Sequence, residues 1–320
     1  MPEIRLVNSE RIKPKLTAAQ ERAIKRIYKD SLKHVKDWSK FLEGKSNISS
    51  ILRAQYLKEM EKEISEEFSN IGKSVEETIK HNISTMSQAV VDDANSVLDN
   101  LGLHIKGAYS FVPADVVQAI ATGQIYDGDW SLSKAIWQHT KKSQKDIHDI
   151  IAKGVLENKS SYEIAKELEK YVDPRARKPW DWGKVYPGVN KVVDYNAQRL
   201  ARTLVSHAYQ QSFISTTKDN PFFEGYRWLT TNNHKVCEIC RGYAEDEHAE
   251  GLPAGVFLKS DLPLDHPNGQ CTMSIYTTQS TDDIVDSLVY WANGGSNPSL
   301  DSFARSLGYP IETIKNSIIG

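Results

Sequence analysis

The sequence predicts a mainly α-helical (α+β) protein with a small β element near its C-terminus. Over the first two thirds of the 320 residues, apolar side chains recur every three or four positions, which is the periodicity of a helix with one buried face. Residues 71–101 continue this pattern without a proline. Farther along, "EGYRWLTT" alternates in the manner of a strand, and it leads into the segment that contains every cysteine of the chain.

The first predicted elements are three long helices. Thr17 and Gln20 have the spacing of a capping box, so the first helix is expected to begin at Thr17 and to end at Gly44. Apolar stripes predict a second helix from about residue 49 to residue 68 and a third from residue 71 to residue 101. Helices of this length are typical of a bundle or a rod rather than of a compact α/β domain.

Shorter elements are predicted after Gly102. "FVPADVVQAIATG" predicts a short helix that begins near Pro113 and ends at Gly123. A helix pair follows, in which Ser160 and Glu163 form the capping box of the second member. "VVDYNAQRLARTLVSHAYQQSFIST" predicts one further helix before the strand.

These elements suggest four regions along the chain. They are a helical N-terminal region (1–104), a central helical domain (105–217), a β-containing subdomain (218–280) and a helical tail (281–320). The net charge of −2 gives no overall attraction to nucleic acid or to an anionic membrane. Neither a transmembrane helix nor a secretory signal peptide is expected, and the odd number of cysteines favours a reducing compartment.

Two basic segments are candidates for contact with DNA or with an acidic partner. The loop "DPRARKPWDWGKVYPG" interleaves cations with aromatic rings that could stack on bases; its candidate residues are Arg175, Arg177, Lys178, Trp180 and Trp182. The helix that follows carries Arg199 and Arg202. The alternative for the loop is a solvated surface, and the alternative for the helix is a set of salt bridges to the acidic segment after Cys240.

The cysteine pattern predicts a metal site. Cys237 and Cys240 form a Cys-x-x-Cys turn, which places two thiolates about 3.5–4 Å apart on one edge of a tetrahedral zinc site. Turn residues in the 25-residue segment that follows would let His266 and Cys271 come back as the third and fourth ligands. Zinc suits such a mixed set better than Mg²⁺ or Ca²⁺, and a closed set of four protein ligands is structural rather than catalytic.

Four other interpretations of this segment remain open. The thiols could be buried and inert, or they could form a redox pair, although the βαβ context of such pairs is not visible. The pair His248 and Glu250 matches the H-x-E of zinc deaminases, but the order of the motifs is reversed. Asp265–His266 between cysteines is similar to an HNH nuclease, which would also need a second metal-holding His or Asn downstream.

Three segments together carry a family resemblance. "YNAQRLARTLVSHAYQQSF", "GYRWLTTNNHKVCEICRGY" and "LPLDHPNGQC" resemble the C-terminal domain of phage minor head proteins of the head-morphogenesis, Mu F-like family. The resemblance covers roughly residues 105–276, and the matching positions are Arg199, Arg202, Thr203, Trp228, Cys237, Cys240, His266, Pro267 and Cys271. The chain departs from the family at Gly269, where the family usually has Cys. Cys271 is then the only thiol after His266, and His234 is the reserve ligand.

The resemblance implies a structural role and no enzymatic activity. A protein of this family is expected to be a virion component in few copies, located at the portal vertex inside the head after a period in the host cytoplasm. Its expected partners are the portal protein, other head proteins and packaged DNA bound without sequence preference, and its expected cofactor is a structural Zn²⁺. The alternatives are an HNH-type metal-dependent nuclease and a DNA-binding adaptor without a capsid role.

Overall fold

The computed structural model describes residues 3–43, 45, 49–105, 107–126, 128–172, 195–230 and 236–319. The chain is mainly helical and carries a small antiparallel sheet, so the predicted fold class is confirmed. The helices of the described ranges are α1 (Val7–Leu42), α2 (Ser50–Asn100), α3 (Val112–Thr122), α4 (Leu132–Leu156), α5 (Ser161–Val172), α6 (Tyr195–Thr217), α7 (Glu238–Glu245), α8 (Thr281–Ala292), α9 (Pro298–Ser306) and α10 (Ile311–Ile319). The strands are β1 (Glu3–Ile4), β2 (Gly225–Leu229), β3 (Val256–Leu258) and β4 (Thr272–Tyr276). None of the helices in these ranges is long and apolar enough to cross a membrane.

The predicted start of the first helix is wrong, because α1 begins at Val7 and Thr17 lies buried in its interior. The cap that starts α1 is not local. Asp93 of α2 accepts a hydrogen bond from the backbone N–H of Ser9 at 2.6 Å and another from the Asn8 side chain at 2.9 Å. A carboxylate at this point satisfies an N–H group that the helix itself leaves unpaired and opposes the positive end of its dipole.

The two helices predicted over residues 49–101 are a single helix, α2, of 51 residues. Phe68 and Ile71, on the two sides of the predicted break, are both buried and belong to one continuous apolar stripe. Neither Ser69 nor Asn70 is a strong helix breaker such as proline, so the helix and its apolar stripe continue through them. The shorter predictions are confirmed. Ser160 and Glu163 exchange the hydrogen bonds of a capping box before α5. The backbone N–H of Ser160 donates to the Glu163 carboxylate at 2.7 Å, and the backbone N–H of Glu163 donates to the Ser160 hydroxyl at 3.2 Å.

The sheet has the strand order β1-β4-β2-β3, and every neighbouring pair is antiparallel. The strand predicted from "EGYRWLTT" is β2, in which Tyr226 pairs with Ile275 of β4 on one side and with Phe257 of β3 on the other. β1 adds the N-terminus of the chain to the edge of the sheet, where Ile4 pairs with Ile275.

The described chain forms two compact units that are not contiguous in sequence. One unit contains Met1–Leu16, Asn82–Ala119 and Thr203–Gly320, and the other contains Thr17–His81 and Ile120–Arg202. The changes from one unit to the other therefore fall inside α1, α2, α3 and α6. The first unit holds the sheet and all three cysteines, and the described part of the second consists of helices joined by turns and loops.

Within the first unit, α6 lies against the sheet. Tyr209, Phe213 and Tyr226 form a run of aromatic contacts with ring centroids 6.1 and 5.3 Å apart, so the helix and β2 share one apolar core. On another side of α6, the hydroxyl of Ser212 lies 2.7 Å from that of Ser87 on α2. Every residue from 203 to 210 is buried, which fixes this part of α6 firmly in the unit.

Candidate metal centre

The Cys-x-x-Cys turn is the N-terminus of α7. Cys237 is the N-cap residue, and its sulfur accepts a hydrogen bond from the backbone N–H of Cys240 at 3.4 Å. This capping geometry puts the two side chains on the same side of the first helical turn. Cys240 is only 4% exposed and packs with Trp228 and Phe257, so the sheet forms one wall of the centre.

His266 completes a group of three donors with these cysteines. Its Nε2 atom lies 3.2 Å from the Cys237 sulfur and 3.1 Å from the Cys240 sulfur, and all three donor atoms lie within 4.8 Å of one another. In a tetrahedral zinc site the S–N edge is about 3.6 Å, so the three atoms are close to ligand spacing. Cys237, Cys240 and His266 thus form a cluster that could hold a metal ion.

The tautomer of His266 suits metal binding. Its Nδ1 lies 3.0 Å from the carbonyl oxygen of Pro267. A carbonyl can only accept, so Nδ1 carries the proton in this contact and Nε2 keeps its lone pair toward the thiols. This is the arrangement that orients histidine ligands in metal sites, where the second ring nitrogen donates to a carbonyl or carboxylate.

Cys271 belongs to a second group, which shares Cys240 with the first. Cys240, Asp265 and Cys271 also have donor atoms within 4.8 Å of one another, and all three side chains are buried. The structure therefore brings the four sequence-predicted ligands to one place, in two overlapping groups of three. Asp265 is a donor that the sequence does not mark as a ligand, because in the sequence it is only the residue that precedes the predicted ligand His266.

The protonation of the thiols is coupled through a hydrogen bond between Cys240 and Cys271. That bond and burial raise the pKa of the Cys240 thiol, and the same bond lowers the pKa of Cys271. A bound metal would replace this shared proton, since thiol ligands bind as thiolates.

One face of α6 holds the backbone of the loop that carries His266. The side chains on this face are Thr203, Ser206, His207 and Gln210. Ser206 donates to the carbonyl oxygen of Gly269 at 2.6 Å, and His207 donates from Nε2 to that of Asp265 at 2.8 Å. Thr203 accepts from the N–H of Asn268 at 3.0 Å, and Gln210 accepts from the N–H of Asp265 at 2.9 Å while its amide donates to Pro263.

The side chains on this face of α6 act together on the loop that carries His266. Positions 203, 206, 207 and 210 follow the i, i+3, i+4, i+7 spacing, so they lie along a single helix stripe. Burial lowers the pKa of His207 to about 4, which keeps its ring neutral at pH 7. The part of α6 that resembles the family motif therefore acts as a support that positions the loop and its donors.

A buried lysine also reaches the centre. Lys13 of α1 is 1% exposed, and its ammonium donates to the carbonyl oxygen of Cys271 at 2.6 Å. The same ammonium lies 5.0 Å from the centroid of the Tyr209 ring. Burial raises the pKa of Asp265 above its ordinary value, and the charge of Lys13 opposes this shift. Nothing in the sequence distinguishes Lys13 from the many other cations of its amphipathic helix.

The remaining predicted residues lie elsewhere. The guanidinium of Arg202 is 3.4 Å from the Glu21 carboxylate on α1. This ion-pair partner is therefore not in the acidic segment after Cys240, where the salt-bridge interpretation of this helix places it. Arg199 is half-buried on the same helix. His248 stacks on Phe257 and belongs to neither donor group. Outside the described residues lie the predicted contacts Arg175, Arg177, Lys178, Trp180 and Trp182 and the reserve ligand His234.

No family model, curated protein or solved structure matches the chain.

Proposed function

We propose that the chain is a structural minor head protein of a tailed phage, with a zinc ion that stabilises its C-terminal sheet. In this role it associates with the portal inside the head and assists head morphogenesis, DNA delivery or both. One observation carries the proposal. The motifs on which the family resemblance rests are separated by many residues, yet Thr203, Trp228, the Cys-x-x-Cys pair and the His266–Cys271 segment all converge on one centre.

The donor chemistry supports zinc as the metal. Thiolate and imidazole donors favour Zn²⁺ over Mg²⁺ and Ca²⁺, which prefer oxygen ligands. A structural ion fits better than a catalytic one, because Cys240 and Cys271 are only 4% and 5% exposed and a catalytic zinc needs a position that water and substrate can reach. In zinc-finger peptides such binding contributes about 10–16 kcal/mol to folding.

The same geometry argues against the nuclease alternative. An HNH nuclease uses its histidine to activate water, and the histidine must then keep a free nitrogen. In this chain Nε2 of His266 faces two thiols and Nδ1 faces the Pro267 carbonyl. Incubation of the protein with plasmid DNA and Mg²⁺ or Mn²⁺ is expected to leave the DNA intact; cleavage that is lost in His266→Ala would favour the nuclease.

The metal is tested by mass spectrometry of full-length protein purified without added zinc. One zinc per chain is expected in the wild type, and a large loss is expected in Cys237→Ser and His266→Ala. His248→Ala is the matched control, since this histidine lies in the same segment but outside both donor groups. Proteolysis should then cut residues 241–265 in the ligand variants but not in the control. A metal-free wild type with a protected segment would refute the metal site.

The role in the head needs separate experiments. Full-length protein is expected to co-purify with the portal protein of the same phage, and peptides of the chain are expected in purified particles. Absence from both would refute the head function even if the protein contains zinc.

A further inference from the structure

Asp265 is a buried carboxylate whose environment lacks an ordinary explanation. The residue is 3% exposed, and neither of its oxygens makes a hydrogen bond of normal geometry within the described chain. Burial of an unpaired carboxylate is costly, so a native structure tolerates it where a charge or an ion compensates.

The space around Gly269 shows where this carboxylate points. A β-carbon at position 269 would overlap both carboxylate oxygens and the Cγ of Asp265. Gly269 is not among the residues with a positive φ, so its backbone does not demand glycine. Glycine is needed here because the Asp265 carboxylate fills the volume that a side chain would occupy.

We propose that Asp265 is a direct ligand of the metal. One carboxylate oxygen coordinates the ion as a fifth donor beside the three thiolates and His266, and Gly269 makes room for it. The proposal is carried by the position of the Asp265 oxygen within 4.8 Å of the Cys240 and Cys271 sulfurs. It depends on the metal site proposed above and not on the role in the phage head.

The surrounding charges fit an anionic ligand. A carboxylate added to several thiolates leaves the centre net negative even with Zn²⁺ bound. The buried ammonium of Lys13 supplies a compensating charge, and it is held at the centre by its bond to the Cys271 carbonyl. His207 donates to the backbone carbonyl of Asp265, and Gln210 accepts from its backbone N–H. The backbone of Asp265 is therefore held in place before an ion binds.

X-ray absorption at the zinc edge tests the ligand directly in the wild-type, full-length protein. Sulfur ligands lie near 2.3 Å from zinc, and nitrogen or oxygen ligands lie at about 2.0–2.2 Å. We expect two light-atom ligands, one from His266 and one from Asp265. The set predicted from the cysteine spacing alone would give a single light-atom ligand.

Substitutions test the same point through affinity for Zn²⁺, measured by competition with a chelator. Asp265→Asn is expected to weaken binding by more than about 100-fold, because loss of even an outer-shell partner costs about 10–100-fold. Asp261→Asn removes the same charge from an exposed position of the same segment and is expected to leave the affinity unchanged. In the background of Asp265→Ala, Gly269→Cys is expected to restore tight binding with one more sulfur and one fewer light-atom ligand.

The outcomes separate the two proposals. A wild type that binds no zinc refutes the metal site, and the role of Asp265 falls with it. A wild type that binds zinc with one light-atom ligand overturns the role of Asp265 alone, whatever the variants do. Two light-atom ligands with unchanged affinity in Asp265→Asn would also overturn it, since the second ligand would then be water. The absorption experiment needs no variant, so misfolding of a substituted chain does not weaken the test.

Discussion

Replacement of Lys13 by methionine tests the electrostatics of the metal centre. The ammonium is buried, donates to the Cys271 carbonyl at 2.6 Å and lies 5.0 Å from the Tyr209 ring centroid. Methionine has a similar length and fills the same space without the charge. The substitution therefore removes the compensating charge of Asp265 while it disturbs packing little.

The expected loss of stability follows from these contacts. A hydrogen bond to a charged group contributes about 1.5–3 kcal/mol, and a desolvated cation–π contact adds up to about 2 kcal/mol. Methionine offsets part of this because it needs no desolvation of a charge. From the hydrogen bond and the cation–π contact, less this offset, we expect Lys13→Met to lower the free energy of unfolding by about 3 kcal/mol. For a cooperative unit of 150–250 residues this corresponds to a decrease in Tm of about 6–12 °C.

The assay is urea unfolding of the full-length protein, followed by tryptophan fluorescence. Lys15→Met, an exposed lysine on the same helix, is the matched control and is expected to change stability by less than about 0.5 kcal/mol. A Lys13→Met protein as stable as the wild type would show that the buried ammonium compensates nothing.

Three further predictions concern other parts of the chain. Burial lowers the pKa of His139 to about 4, so the stability that its neutral ring contributes is complete above pH 6.5 and is lost as the pH falls toward 4. In urea unfolding at several pH values, the free energy of unfolding of His139→Gln should therefore fall by about 2 kcal/mol less between pH 6.5 and pH 4.5 than that of the wild type. Gly255→Ala combines a φ of +75° with overlap of the Ala244 carbonyl and should cost about 2–4 kcal/mol, whereas Gly251→Ala has a φ of +80° in open space and should cost about 1 kcal/mol by the same assay. Ser160→Ala removes half of a capping box and should cost about 1 kcal/mol, measured against Ser74→Ala on an exposed helix position. Equal effects of Gly255→Ala and Gly251→Ala, or of Ser160→Ala and Ser74→Ala, would contradict the corresponding prediction.

Local patterns predicted the elements whose stabilising contacts are local. The capping box of Ser160, the helix entered near Pro113 and the alternation of β2 all depend on residues within a few positions of one another, and the structure contains each of them. The start of α1 could not be predicted in this way. Its cap is Asp93, more than eighty residues farther along the chain, so Thr17 offered the best local pattern although the helix begins earlier.

The ligand positions of the candidate site were predictable because spacing reveals them. Cys-x-x-Cys is a helical or turn spacing, and the cluster of Cys237, Cys240 and His266 agrees with it. The supports of the site were not predictable, since none of them has a local signature. Ser206 and Gln210 read as ordinary helix residues, and only the fold shows that they bind the backbone of the metal loop.

The arrangement of the first compact unit explains why the residues of its candidate metal centre are distributed so widely in sequence. Cys271 immediately precedes β4, and β4 pairs both with β2 and with the N-terminal strand β1. Lys13, a few residues after β1, returns to the same cysteine through its bond to the Cys271 carbonyl. A metal that joins Cys237 to His266 would therefore tie together α7, the loop held by α6 and a strand that also anchors the N-terminus. Such an ion would stabilise contacts among segments that are distant in sequence. A small sheet with strands of two to five residues buries little apolar surface, so it has few other contacts that could hold these segments together.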